Sequence, residues 1–534
     1  MLPSQDRREW LWASALSVLI VLLASLAYVV AWEVTPPGHH FTGVLINPLD
    51  GLSYLAKMGQ GSAGSWQFRL PYTAEPHTPV LLFTYHLALG HLAPSGSPHS
   101  LALVYHLARV VCGWGLLMAV YWATGWVTTE PSKRRWALGL VGLSGGIGWL
   151  AGGGTDLLVP ESITFSSIMV NAHFGLTSLL MLALVMGATL AVPTRRHGVL
   201  ALCGGALLAS IQPLAAPVVL AVVGTWHAVN WLHGRSAANG GQDRLGSRSS
   251  VCRRLKLEPN LTVMILCGAG AVPLLAYGLA LSHYHPLIHR WMEQNVTPSP
   301  PIGEWLVGYG LLVPLAVLGG LLALKKGNRA GKLWLLWCLV QASMIFLPIA
   351  LQRRLSTGLH LPIALLAAQG FWSGIYGRLG RTARRWVPAV LLVLVLPSNV
   401  LLALAGVSAA QNRHPGVVLS DAQWRTMEWL RTNASAATVV LADAELGAAV
   451  PALGGGARVV YGHPFETPEA EETYADVESF YTGRMGLGQA DGFLEHYAVE
   501  LVLVQTDRYP APSLPVAVYP IFQTGPVVVY RRGP

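Results

Sequence analysis

The sequence predicts an α-helical polytopic membrane protein that ends in a small α/β domain. Three observations carry this. Hydrophobic residues make up 53% of the 534-residue chain and charged residues 11%, against roughly 25% charged in an average soluble domain. Apolar runs of bilayer-spanning length recur before residue 407 and stop there. The charge is also divided: residues 1–407 carry 27 Lys/Arg and 12 Asp/Glu, whereas residues 408–534 carry 8 and 14. The positive excess lies in short clusters between spans, where it reports orientation. A nucleic-acid surface would gather it on one face, so no nucleic-acid partner is expected.

The first apolar run, Leu11–Trp32, is uncharged and 22 residues long, enough for a hydrocarbon core of about 30 Å. Arg7 and Arg8 precede it as in a secretory signal. It outlasts a usual signal core, however, and no small-x-small site ends it, so a retained anchor is expected. Further basic clusters stand at Lys133-Arg134-Arg135, Arg195-Arg196, Arg235 to Lys256, Lys325 to Lys332 and Arg378 to Arg385. The positive-inside rule puts all of them, and the N-terminus, on the cytoplasmic face. About eleven spans satisfy that threading: 11–32, 100–127, 137–152, 171–192, 199–211, 214–232, 260–282, 303–324, 333–351, 359–376 and 387–407. The fifth and sixth are short and meet at Gln212-Pro213, so they read either as two crossings or as a re-entrant pair. The Gly/Ser-rich stretch 233–258 reads as a flexible cytoplasmic linker.

The outer face then receives the loop 33–99, the loops Gly152–Asn171, His283–Glu304 and Gln352–Leu359, and the tail 408–534. Within the first loop, Pro79–Ala93 is apolar but too short to cross, and is expected as an interfacial helix bearing His86 and His91. In the tail, Thr438–Ala442, Ala457–Tyr461, Leu501–Gln505 and Val527–Tyr530 read as short buried strands, with helices over Asp421–Thr432 and Glu469–Tyr481 between some of them. The domains are therefore 1–407, a membrane domain with the long outer loop 33–99, and 408–534, an extracytoplasmic α/β domain. Gly454-Gly455-Gly456 is a turn, not a dinucleotide fingerprint. The five cysteines, Cys112, Cys203, Cys252, Cys267 and Cys338, have no metal-ligand spacing and none lies in the tail.

The residues that can carry chemistry gather on the outer loops. Asp50, in Ile46-Asn47-Pro48-Leu49-Asp50-Gly51, either accepts a proton from a hydroxyl or stabilises the turn that Asn-Pro-x-Asp-Gly favours by itself. Arg353 and Arg354 form the densest cationic pair on the outer side. They suit bidentate phosphate binding, or they snorkel at a span end; His360 follows, open to assisting them or to a structural place. Glu161 and Asp156 can orient an acceptor or join Asp50 around a divalent cation, Mg or Mn, which wants oxygen ligands. His173 bridges to phosphate or packs at a helix end. Trp291, Gln294 and Asn295 can line a pocket, or Trp291 anchors at the interface. Glu75 and His77 are weaker candidates, and His463 and Glu466 read as turn-forming or docking residues.

Several of these segments together resemble a known family. They are Asn47-Pro48-Leu49-Asp50 with Tyr54, Pro160-Glu161-Ser162 running to Asn171-Ala172-His173-Phe174, and Trp291-Met292-Glu293-Gln294-Asn295. Gln352-Arg353-Arg354 with Gly358-Leu359-His360, and Gly462-His463-Pro464-Phe465-Glu466-Thr467, complete the set. In this order, over most of the chain, they resemble the GT-C glycosyltransferases, and among them a bacterial branch related to the dolichyl-phosphate-mannose protein mannosyltransferases. The resemblance implies inverting transfer of a sugar from a polyprenyl-phosphate-linked donor to a glycan, lipid or protein acceptor at the outer face of a bacterial cytoplasmic membrane. It implies Asp50 as base on a catalytic outer loop 33–99, Arg353, Arg354 and His360 at the donor phosphate, and Tyr54, Trp291, Gln294 and Asn295 in the substrate pocket for sugar or lipid. One departure stands out: Leu49 precedes Asp50 where many GT-C enzymes have two adjacent acids. A transporter or lipid-carrier flippase would instead keep paired ionisable residues inside its spans, of which Arg109 is the clearest here. A non-catalytic scaffold of the same fold is kept open by the single acid.

Overall fold

The computed structural model describes residues 7–190, 194–239 and 259–533. Among them, six helices are long and apolar enough to cross a membrane: Arg7–Val34, Pro98–Thr124, Ala172–Thr189, Ala215–His233, Asn260–Tyr284 and Arg381–Gln411. A bent pair, Ile302–Tyr309 and Leu312–Lys326, makes up to seven. The other four expected spans are helical but shorter: Pro131–Leu143, Arg195–Ile211, Arg329–Met344 and His360–Gly370. Their interruptions have local causes. The 137–152 segment breaks after Leu143, where the Gly145 and Ile147 amides bond the carbonyls of Val395 and Val307 instead of their own helix. The 303–324 segment bends by 86° at Gly310, which takes a left-handed φ of 45°. The linker reading falls largely outside the described residues, as do Cys252 and most of the basic cluster from Arg235 to Lys256. Before them, the helix Ala215–Asn239 runs on into that stretch.

By their internal contacts the residues form two compact units. The first comprises 1–24, 109–279 and 297–402, the second 25–108, 280–296 and 403–534. In the first unit, the helices Leu312–Lys326 and His360–Gly370 pack backbone to backbone. A Cβ on Gly319 or on Gly370 would stand 2.0 Å from the carbonyl oxygen of Leu366 or Leu315, the small-residue packing that membrane helices favour.

The second unit holds the tail domain and the first loop in one core. Its strands are β1 (His39–Phe41), β2 (Val418–Ser420), β3 (Val439–Leu441), β4 (Arg458–Val459), β5 (Leu501–Gln505), β6 (Val518–Thr524) and β7 (Val527–Arg532). β1 pairs antiparallel with β2, and the other five form a sheet in the order β4-β3-β5-β7-β6. β3 runs parallel to β4 and β5, while β7 is antiparallel to β5 and β6. One apolar cluster joins Val44, Leu52, Leu55 and Tyr72 of the first loop to Val440, Leu503 and Val529 of the sheet and to Leu446 and Val450 of the helix Ala444–Leu453. The expected interfacial helix is the helix Thr84–His91, with His86, Leu87, Leu89 and Gly90 buried. It packs on the helix Pro48–Ser62 through a reciprocal glycine contact: a Cβ on Gly61 or on Gly90 would meet the carbonyl oxygen of Leu87 or Met58 at 2.0 Å.

Candidate active site

Asp50 lies in the first turn of the helix Pro48–Ser62. Asn47 precedes the helix in a left-handed conformation (φ 53°, ψ 60°), a state that asparagine tolerates better than most residues. Pro48 at the first helical position has no amide hydrogen to leave unmet. The Asn47 side-chain amide donates to Oδ2 of Asp50 at 3.1 Å, and the helix dipole favours a carboxylate at this end. Asp50, Ser53, Tyr54 and Lys57 follow the i, i+3, i+4, i+7 spacing and share one helix face.

The tail loop 462–467 meets that face. His463 accepts a hydrogen bond at Nδ1 from the Phe465 amide at 3.1 Å. With its Nδ1 lone pair engaged, neutral His463 carries its proton on Nε2. That nitrogen stands 3.4 Å from Oδ1 of Asp50, a close polar approach just longer than a formed hydrogen bond. The loop is also closed on itself, the Thr467 amide donating to the His463 carbonyl at 2.8 Å.

Beneath the pair is a buried ionic group. Lys57 Nζ lies 2.7 Å from Oε1 of Glu466 and 2.6 Å from Oγ of Ser53, and Ser53 donates to the same carboxylate oxygen at 2.5 Å. The ammonium is fully buried and sits 4.0 Å over the centroid of the Phe83 ring, a cation–π contact. Burial pushes the Glu466 carboxyl up; the Lys57 charge, His463 and the two hydrogen bonds outweigh it and hold Glu466 below its ordinary range. Tyr72, also buried, is pushed well above its ordinary value by burial first and then by the charges of Glu466 and Asp50. Tyr54 stacks on His86 with ring centroids 4.5 Å apart.

The residues read as a sugar pocket hold this loop in place. Trp291 donates its indole N–H to the Phe465 carbonyl at 2.7 Å, and Asn295 donates to the same oxygen at 2.8 Å. Gln294 donates to the Thr467 carbonyl at 2.5 Å and accepts from the Glu469 amide at 2.9 Å. Arg290 adds ion pairs to Glu75 at 2.5 Å and Glu469 at 2.8 Å. His77 Nε2 accepts from the Leu70 amide at 2.9 Å while Nδ1 meets the Glu75 carbonyl at 2.8 Å, which shapes the loop around Tyr72.

The first unit holds the cationic group. Arg353 and Arg354 lie on a short 3₁₀ turn, Gln352–Ser356, tied down by the bond from the Arg353 amide to the Thr297 carbonyl at 3.1 Å. Glu161, buried, faces both: its Oε1 is 3.5 Å from Arg353 Nε and 4.0 Å from Arg354 Nη1. Neither Oε1 of Glu161 nor Nε of Arg353 has a hydrogen-bond partner, so these charges approach without closing. Two guanidiniums against one carboxylate leave one net positive charge. His360 is spent differently, its ring nitrogens meeting Thr164 Oγ1 at 2.8 Å and Ser144 Oγ at 3.1 Å. Asp156 accepts from the amides of Gly146 at 3.0 Å and Gly148 at 3.2 Å and shapes that loop. His173 is buried near the start of the helix Ala172–Thr189, its ring 4.3 Å from that of Phe174. Arg109 donates to the Ile168 carbonyl at 3.1 Å.

No protein-family profile matches the chain, and no curated protein matches it in sequence. Its shape does match solved structures. It resembles the Archaeoglobus fulgidus oligosaccharyltransferase with a TM-score of 0.51 and 13% identity, over 93% of this chain and 70% of that one. It resembles ArnT from Cupriavidus metallidurans with a TM-score of 0.50 and 15% identity, over 96% of this chain and 97% of that one. The third is the mycobacterial arabinofuranosyltransferase AftD, at 0.51 and 15%, over 99% of this chain and 42% of that one. The chain has the GT-C fold.

On this GT-C fold, Asp50 acquires partners that its own segment does not announce. His463 and Glu466, which read as turn or docking residues, stand beside Asp50 and Lys57. Lys57 itself escaped notice, although a lone lysine in the apolar stretch Leu52–Met58, two helical turns from Asp50, was a signal. Two of these carboxylates, Glu466 and Glu161, are poorly placed for a divalent cation. Among the described residues no three His, Cys, Asp or Glu gather as a metal-holding group. The Lys57 ammonium already sits on Glu466, and two guanidiniums face Glu161.

Proposed function

We propose that the protein is a membrane glycosyltransferase that moves a sugar from a polyprenyl-phosphate-linked donor to an acceptor hydroxyl at the outer face of a bacterial cytoplasmic membrane. The observation that carries this is the approach of His463 to Asp50 in a chain of GT-C fold. Similar structures support the lipid-borne donor: ArnT was solved with undecaprenyl phosphate, and the Archaeoglobus enzyme with a dolichol-phosphate and an inhibitory peptide. Sidedness follows from the positive-inside rule, which leaves the N-terminus cytoplasmic and residues 408–534 outside.

Asp50 is the base. It takes the proton of the acceptor hydroxyl as that oxygen bonds to the anomeric carbon. The bond from that carbon to the donor phosphate breaks on the opposite face, polyprenyl phosphate leaves with the electron pair, and the configuration inverts. His463 is a positioning residue, since its Nδ1 lone pair is occupied and its Nε2–H points the carboxylate. To Arg353 and Arg354 we assign the departing phosphate, whose growing charge fixed guanidiniums stabilise. We assign no divalent cation to this step: Glu466 and Glu161, the acids that could join Asp50, already face Lys57 and the two arginines.

The test is transfer of radiolabelled sugar from a panel of polyprenyl-phosphate donors by wild type and Asp50→Asn. Turnover that is lost in a folded, donor-binding Asp50→Asn establishes both the class and the base. Equal turnover in the two removes Asp50 from the chemistry. No turnover with any donor, alongside intact lipid binding, favours the flippase or scaffold reading.

A further inference from the structure

A cavity of 340 Å³ opens in the first unit, among the helices Pro131–Leu143, Leu312–Lys326 and His360–Gly370. Sites for small ligands span about 300–1,000 Å³. Its lining is chemically mixed: Leu365 and Ala368 are apolar, whereas Lys133, Lys326, Gln369 and Trp372 bring charge and hydrogen-bonding groups. Lys133 pairs with Glu130 at 2.5 Å, and among the described residues Lys326 has no carboxylate partner.

Lys326, in the last turn of the helix Leu312–Lys326, is accounted for by the helix dipole alone, and Lys133 by its pair with Glu130. Two other atoms are not. The indole Nε1–H of Trp372 and the amide Oε1 of Gln369, the latter on a side chain almost wholly buried, have no hydrogen-bond partner. A buried donor or acceptor left unmet is costly, and both belong to residues that line this cavity. The backbone is irregular at the same place, with a π-helical turn over Phe371–Ile375, a departure found often at functional sites.

We propose that this cavity binds a phosphate that carries a hydroxylated headgroup. The lysines and the Trp372 N–H meet phosphate oxygens, and Gln369 Oε1 accepts from a headgroup hydroxyl. The apolar wall takes the first carbons of whatever the phosphate bears. Two sources share this chemistry: a glycerophospholipid such as phosphatidylglycerol, and a soluble ester such as glycerol 3-phosphate. The positive-inside rule puts the Lys133 and Lys326 clusters at the cytoplasmic face, where both occur.

The experiment is native mass spectrometry of the full chain, delipidated and then offered phosphatidylglycerol, phosphatidylcholine or glycerol 3-phosphate. Wild type retains phosphatidylglycerol in preference to phosphatidylcholine, and Lys326→Gln and Ala368→Phe each lower that retention about tenfold, the equivalent of one good charge-assisted contact. Binding of glycerol 3-phosphate with the same variant losses, without lipid retention, assigns the site to the soluble ester. Equal retention of the two lipids, or wild-type retention of both phosphate ligands by the two folded variants, overturns the proposal. Should Ala368→Phe fail to fold, Lys326→Gln decides alone, because Lys326 is exposed on the helix end and its loss removes no core.

Discussion

Nε2 of His463 stands 3.4 Å from Oδ1 of Asp50, a meeting of the helix Pro48–Ser62 with the tail loop 462–467. The approach is set from behind. Trp291, Gln294 and Asn295 bond the carbonyls of Phe465 and Thr467, and Thr467 closes the turn that presents His463. Four backbone and side-chain bonds of ordinary strength thus fix one imidazole. The precision of the pair belongs to the loop, not to the two residues.

It follows that His463→Ala, which removes the positioning group but leaves Asp50, lowers kcat less than Asp50→Asn does. A general base is worth about 10²–10⁴-fold, and the histidine variant is expected to lose about tenfold, with donor KM unchanged. Asn295→Ala frees the loop through one bond and gives a smaller loss of the same kind. Steady-state kinetics of the three variants in one detergent checks the order. A His463→Ala loss equal to that of Asp50→Asn would make the histidine a chemical participant.

Lys57 and Glu466 make a second prediction. Lys57→Met leaves a buried carboxylate without its cation, which costs about 3–5 kcal/mol; Lys57→Met with Glu466→Met recovers most of that stability. The pH dependence has a definite sign. Glu466 is held below its unfolded value of about 4.3, so its contribution is present above that pH and is lost as pH falls through the folded value. Thermal unfolding of wild type should therefore hold steady from neutral pH to about 5 and fall below about 4. The double variant should lack that part of the acid loss.

Much of this architecture was legible in the chain. Leu501–Gln505 and the helix from Asp421 lie where a short apolar run and a helical pattern placed them, because both are local signals; Ser420 caps the helix by accepting from the Gln423 amide at 3.3 Å. β6 escaped because Pro520 and the polar Gln523 break its apolar pattern, and only the hairpin with β7 across Gly525-Pro526 makes it a strand. The 137–152 span reads longer in the sequence than its helix, which stops before Gly145-Gly146, since hydropathy cannot see a backbone that bonds outside its own helix. Asp50 was legible from its turn. Its partners were not, because Ser53 and Glu466 are 413 residues apart and only the shared core of loop and sheet joins them. Trp291, Gln294 and Asn295 have the composition of a sugar pocket but bond the loop, a distinction that lies in direction and not in residue type.

The helix that carries Asp50 is positioned by contact between backbones. Gly61→Ala would place a Cβ 2.0 Å from the Leu87 carbonyl oxygen, and Gly90→Ala one 2.0 Å from that of Met58. Backbone cannot yield as a side-chain tip can, so each alanine forces the two helices apart, a cost of about 1–3 kcal/mol by overpacking. Each should lower both the melting temperature and turnover. Gly64→Ala, on the same loop but with no atom within 4 Å of its Cβ and a left-handed φ of 92°, should lose stability by backbone strain without moving the Asp50 helix. A normal melting temperature in Gly61→Ala would show that these helices separate freely.

Arg353, Arg354 and Glu161 give the sharpest separation of binding from chemistry. Glu161 faces both guanidiniums at 3.5 and 4.0 Å without a closed bond, so a phosphate arriving there competes with a carboxylate. Removing that carboxylate's charge with Glu161→Gln raises the net charge of the group from one positive to two. Undecaprenyl phosphate should then bind more tightly, by about 1 kcal/mol, because the guanidiniums it meets are part-exposed. Arg353→Gln should weaken binding, and Arg353→Lys should recover charge without the planar fork and so restore it only in part. Isothermal titration with undecaprenyl phosphate reads all three without needing the acceptor. Weaker binding in Glu161→Gln would mean that the carboxylate holds the arginines in place and its loss lets them drift. Unchanged binding in every variant would take the donor phosphate away from this group while leaving the assignment of Asp50 standing.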